Sequence, residues 1–206
     1  SKLMSDIGEK WLDRHSTRED APVQYAQKGD RAILERLTRV ATSGRSFGVI
    51  QTRATHIPYE EAYAHDAAFQ VAWPDSASLD INQRQSNRYD NALRYFDSLV
   101  VDVMAMATRL PGRTLVIVTS DHGQMLGDQG RWGHNVLTPQ VAAVPMLLFS
   151  TDGKSRWPRE PVFSHNELHG WLASQIGWRV INPNAKPGIS WFHGNNPYGD
   201  NLFVKI

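Results

Sequence analysis

Across 206 residues, 22 Lys and Arg offset 21 Asp and Glu for a net charge of +1, and cysteine is absent. That balance excludes a general nucleic-acid binder, which needs a basic excess, and the missing thiols exclude disulfides, thiolate zinc sites and cysteine nucleophiles. Any metal must be held by His, Asp, Glu or hydroxyl groups, in a chain long enough for about one domain with its own core. Residues 5–16 and 28–42 read as helices, the second with Ile33, Leu34, Leu37 and Val40 at helical spacing and Gly44 as a stop. Residues 47–52, short, apolar and β-branched, read as a buried strand.

A long irregular stretch follows over residues 53–84, and long loops in compact domains often carry function. From about residue 85 to 110, Tyr89, Leu93, Phe96, Val100, Val103, Ala107 and Leu110 recur every three or four positions, which predicts one amphipathic helix ended by Pro111-Gly112. Residues 115–118 form a continuous apolar run that predicts a strand covered on both faces, and residues 144–149 a further strand. Ser164-His165-Asn166-Glu167 has the form of a capping box opening a helix that runs to about residue 176. This alternation predicts an α/β fold with a mainly parallel sheet between helices. The longest nearly apolar run, residues 141–149, is broken by Pro145 and falls far short of the roughly 20 residues of a bilayer helix. The first residues lack the hydrophobic block of a secretory signal.

In an open α/β sheet, ligands gather beyond the carboxyl ends of the strands. Ser120-Asp121-His122-Gly123 follows one predicted strand, and Thr55-His56-Ile57-Pro58 follows another. Twelve residues after His122, Gly133-His134-Asn135 presents a further imidazole on a glycine-flanked loop. His56, Asp121, His122 and His134 form a candidate set of nitrogen and oxygen ligands. Such a set suits zinc or manganese, whereas an all-oxygen set suits calcium or magnesium. A metal-held phosphate or sulfate ester is the substrate this chemistry fits. An Asp-His dipeptide taken alone is weak, and its plain reading is a structural turn. His15, His65, His165, His169 and His193 read as surface or helix-face residues; His165 and His169 share a helix face without the glutamate of a metalloprotease helix.

The run Val118-Thr119-Ser120-Asp121-His122-Gly123-Gln124-Met125-Leu126-Gly127-Asp128, then Trp132-Gly133-His134-Asn135, resembles the C-terminal metal-binding segment of the sulfatase/alkaline-phosphatase superfamily. Arg88-Tyr89-Asp90-Asn91-Ala92-Leu93 resembles the helix preceding that segment in the phosphoethanolamine transferases. Thr55-His56-Ile57-Pro58 falls where those transferases carry a Ser-His-Gly-Pro motif, and Phe163-Ser164-His165-Asn166-Glu167-Leu168 resembles a late helix with a similar start. The resemblance runs in consistent order from about residue 47 to 177.

It implies that Asp121 and His122 ligate the metal on the nucleophile's side, and that His56 and His134 contact the transferred phosphoryl group or a second metal. It also implies a divalent cofactor, zinc above all, with manganese or calcium as the other ions. His122, standing where calcium-site members have Asn, favours phosphoryl chemistry. His134 points to the transferases and Gln124-Met125-Leu126-Gly127-Asp128 to the sulfatases and phosphonate monoester hydrolases, so both branches stay open. A non-catalytic, lipid-binding or regulatory relative is the reading from a different class.

The superfamily's acidic first-strand ligand and its hydroxyl nucleophile have no counterpart before His56. The expectation is therefore a C-terminal portion of a longer enzyme, with residues 1–46 as a helical lead-in and 47–206 as part of the catalytic domain. Its partners would be the N-terminal part of the same enzyme and a phosphate or sulfate ester, including a lipid. The relatives imply a periplasmic or membrane-associated location for the whole protein.

Overall fold

A computed structural model of the chain describes residues 29–40, 46–158, 163–180, 191–195 and 201–205. The helix expected over residues 5–16 lies outside them. The chain divides into two compact units, residues 1–111 and 112–206, so the division falls at the Pro111-Gly112 break. Most of the lead-in expected over residues 1–46 lies outside the described residues.

The first unit is built around helices. Helix α1 spans Arg31–Val40, α2 is the single turn Glu61–Ala64, and α3 runs over Ile81–Ala107. The long helix begins earlier than its apolar spacing predicts because Asp80 caps it: the carboxylate accepts from Asn82 N at 2.9 Å and Gln83 N at 3.3 Å. Its inner stripe contributes Ala92, Tyr95 and Leu99, which pack with Leu34, Ala54, Tyr59 and Ala62 into one core. Tyr59 meets Tyr89 edge to face with centroids 5.2 Å apart, and Phe69 meets Tyr95 in the same way. Burial, reinforced by the charges of Asp66 and Asp30, pushes the Tyr95 hydroxyl up to about 12.

Polar residues on α3 fasten the preceding loop. Fully buried Asn91 accepts from Ala72 N at 2.8 Å and Trp73 N at 3.2 Å, and donates to Trp73 O at 2.8 Å. One helical turn earlier Asn87 donates to Pro74 O at 2.7 Å, and Arg84 and Arg88 both pair with Asp75. Four side chains at helical spacing thus satisfy the backbone of residues 72–74 and the carboxylate beyond it. The stretch expected as an irregular loop is irregular but tightly held. At the other end of the helix, Arg31 pairs with Asp66 and Asp102.

Residues 47–52 are not a strand. Phe47 and Val49 are exposed, and only Ile50 packs against the core. An apolar β-branched run becomes a strand only where another strand can take up its hydrogen bonds, and the first unit has no strand among the described residues.

The second unit carries β1 (Leu115–Thr119), β2 (Met125–Asp128), β3 (Arg131–Gly133), the single turn α4 (Pro139–Ala142), β4 (Met146–Ser150) and α5 (His165–Gln175), then β5 (Trp191–Asn195) and β6 (Asn201–Lys205). β1 pairs with β4, β2 with β3 and β5 with β6, all antiparallel. A mainly parallel sheet was expected, and none of these pairings is parallel. The reason is the connection: the chain returns from β1 to β4 through a hairpin and one helical turn, without the long crossover helix that parallel neighbours need. Leu115 to Val118 are half-buried, so cover on both faces of β1 is not found among the described residues. The hairpin β2–β3 closes through Gln129 and Gly130 at φ 53° and 74°, the left-handed pair that matches strand twist in a two-residue turn. The capping box predicted at Ser164 and Glu167 is present in full. Among the described residues no helix is long and apolar enough to cross a membrane.

Candidate functional site

The second unit brings together three of the four residues singled out from sequence. Asp121 and His122 follow β1 after Ser120 alone, and His134 follows directly on β3. The turn holding the first two is tightly specified. Ser120 Oγ donates to His122 O at 2.7 Å, and His122 N donates to Asp121 Oδ1 at 3.1 Å. Gly123 N then donates to Val141 O at 2.7 Å, which seats the turn on α4. A Cβ at Gly123 would press on Gln140 O and lie 2.6 Å from Ala143 O. Glycine is needed here for space, because another backbone passes where a side chain would sit.

Antiparallel β2 and β3 carry His134 back beside this turn. The His122 and His134 rings stack with centroids 3.8 Å apart and planes inclined by 26°. Each ring has a carbonyl oxygen at Nδ1: Gly123 O at 2.9 Å for His122, and Gln124 Oε1 at 3.1 Å for His134. A carbonyl oxygen only accepts, so Nδ1 carries the donated proton in both rings and the lone pair of the neutral imidazole is on Nε2. Asp121 Oδ1 lies 3.8 Å from His122 Nε2, and its carboxylate is largely exposed.

This donor chemistry fits a divalent ion in part. Two imidazoles oriented through Nδ1 by carbonyl acceptors, beside a carboxylate, have the arrangement common to metal-binding histidines. Among the described residues, however, no group of three or more His, Asp or Glu side chains is placed to hold an ion. Asp121, His122 and His134 therefore supply a partial set of donors.

His56 belongs to the first unit. It sits exposed in a bend, its Nδ1 against Ile57 O and its backbone N–H donating to Arg53 O at 2.9 Å, between buried Ala54 and buried Tyr59. Its local frame is thus well fixed.

His165, expected on the surface or a helix face, is exposed and opens α5, and there it places Nε2 2.7 Å from Thr119 Oγ1, at the last residue of β1 and two positions before Asp121. The one signal that could have exposed it was its place at the start of a capped helix, where a side chain is held in a set direction. Trp157 and Trp171, assigned to packing, do pack: their centroids are 4.4 Å apart, and their indole N–H groups donate to Met146 O and Arg156 O.

A family model described as Sulfatase matches residues 5–177. The chain is also similar to the low-salt glycan biosynthesis sulfotransferase Agl7 of Haloferax volcanii, 35% identical over 72 residues, which covers 32% of this chain and 17% of that protein. The matched part thus spans about a sixth of the relative's length. No solved structure matches the chain. The family match carries an alkaline-phosphatase-like α/β fold.

Proposed function

Because the chain belongs to the sulfatase family, within the sulfatase/alkaline-phosphatase superfamily, we propose that it is the C-terminal part of a metal-dependent enzyme that transfers or hydrolyses a phosphate-type ester, in the manner of the phosphoethanolamine transferases. The hydroxyl nucleophile would lie upstream of Ser1. The observation that supports this reading best is the pair of stacked imidazoles, each turned by a carbonyl oxygen so that Nε2 carries the lone pair. Nitrogen donors of this kind favour zinc, with manganese or calcium as the other ions.

Asp121, His122 and His134 would supply part of the ion's ligands, and other residues of the complete enzyme the rest. When bound, a divalent metal polarises the ester and lowers the pKa of an attacking hydroxyl. The chain's own part is positional. Gly123 and Ser120 hold the Asp121-His122 turn in one conformation, and Gln124 holds the His134 ring. His134 would have the role that the resemblance implies, contact with the transferred group. The same resemblance suggests a lipid or glycan ester outside the cytoplasm, in a periplasmic or membrane-attached protein.

A second reading, sulfate-ester chemistry, is favoured by the haloarchaeal relative, named a sulfotransferase, and by the run Gln124 to Asp128. A third, a binding module without turnover, follows from the partial donor set. The complete protein, upstream sequence included, separates all three. Metal content after dialysis is measured, then hydrolysis of aryl phosphate, aryl phosphonate and aryl sulfate esters. The leading reading expects bound zinc, preference for the phosphate or phosphonate, and a drop of at least about 100-fold in Asp121→Ala. Preference for the sulfate ester transfers the conclusion to the second reading. Neither metal nor turnover rejects both enzymatic readings.

A further inference from the structure

β1 and α5 are joined by a side-chain contact that lies outside the proposed ligands. Thr119 ends β1 opposite Met146 of β4, so its backbone is fixed by the strand pairing. His165 opens α5, and its backbone is fixed by the capping box, in which Ser164 N–H donates to Glu167 Oε2 at 2.9 Å and Asn166 N–H to Ser164 Oγ at 3.2 Å. Two independently anchored elements therefore present Oγ1 and Nε2 to each other at 2.7 Å, across 46 residues of sequence. The bond joins the site at a particular place. Ser120, the next residue, makes the hydroxyl contacts to His122 O and Asp121 Oδ1 that shape the turn. The far end of the turn is already secured by Gly123 on Val141 O. The Thr119 contact thus adds a hold at the strand end of the turn to those that Gly123 makes on Val141 and His122 makes on His134.

We infer that His165 is a positioning residue of the Asp121-His122 site, acting through the Thr119 hydroxyl to hold the turn at its strand end. Its role toward a metal rests on the reading that Asp121 and His122 are ligands, while its role in ordering the turn does not. Outer partners that orient ligands are worth about 10- to 100-fold in metal affinity. A lost neutral hydrogen bond is worth about five- to tenfold in local opening.

The experiment uses the complete protein with His165→Ala, His165→Gln, Thr119→Val and the double variant His165→Ala/Thr119→Val. Glutamine extends an amide nitrogen about as far as the imidazole Nε2 and can donate or accept. Valine keeps the shape and strand preference of threonine without the hydroxyl. Zinc affinity is measured by competition with a chelator, and exchange of the backbone amides of residues 120–123 is measured on the metal-free protein. His165→Ala should weaken zinc binding about tenfold and speed exchange in the turn about fivefold. His165→Gln should restore both, Thr119→Val should reproduce both, and the double variant should be no worse than either single. Unchanged exchange in His165→Ala overturns the inference, as does multiplication of the two single effects in the double variant or failure of glutamine to rescue. If the parent protein binds no zinc, the metal reading falls separately, and turn exchange in the metal-free variants still decides for or against His165.

Discussion

The first unit spends its sequence on a core, and the second spends its sequence on a rim. In the first, an aromatic and aliphatic cluster closes around α3, with Tyr59, Tyr95 and Leu99 almost wholly buried and Asn91 fully hydrogen-bonded beneath them. In the second, Leu115 to Val118 of β1 are half-buried, and specific contacts gather where β1 and β3 end: Thr119 with His165, Gly123 with Val141, His122 with His134. Bulk apolar burial makes the first unit tolerant of polar change at its surface. The turn after β1 is held by single hydrogen bonds, a ring stack and one close backbone approach, each of which one substitution can remove.

Three changes test this contrast. Leu99→Ala, at the centre of the first unit's core, should cost about 2–5 kcal/mol, read as a lower denaturation midpoint and faster amide exchange along α3. An undiminished midpoint would mean that the core is not where the first unit's stability resides. Gly123→Ala should cost about 1–3 kcal/mol through overpacking against Gln140 O and Ala143 O. Exchange should rise over residues 120–124 and 138–143 while α3 keeps its protection. A normal turn in this variant would show that the close approach is dispensable.

The smallest effect concerns Asp75. Its hydrogen bond from Arg88, seconded by Arg84, holds its carboxyl below the usual carboxylate range. A carboxylate depressed in the folded state contributes stability that is fully present above its unfolded pKa, about 4, and is lost as pH falls through the lower folded value. The contribution is below about 1 kcal/mol for partly exposed partners. Acid titration of stability should therefore be shallower below about pH 4 in Asp75→Asn than in the parent, and identical curves would remove the ion pair from the account.

Much of the local structure was legible because its causes are local. The stripe from Tyr89 to Val103 marks α3 by its period, and Ser164 with Glu167 marks the start of α5 by its capping chemistry. Asp80 was equally readable as a cap and would have placed the start of α3 correctly. Residues 47–52 misled because composition reports what a strand would accept, not whether a partner strand is there. The parallel sheet misled for the same reason, since strand direction is decided by the connection and by the neighbour.

Read along the chain, the residues already require that any metal be held without thiolates, set Asp121 and His122 after a strand, and carry the resemblance to the superfamily to which the chain belongs. It takes the folded chain to stack His134 on His122, to turn each ring's Nδ1 to a carbonyl oxygen, and to bring His165 to Thr119 from 46 residues away. Helix caps and apolar periods act over a few residues and can be read in order along the chain. Contacts between elements far apart in sequence depend on which strands pair and on where backbones cross, and local patterns do not carry that.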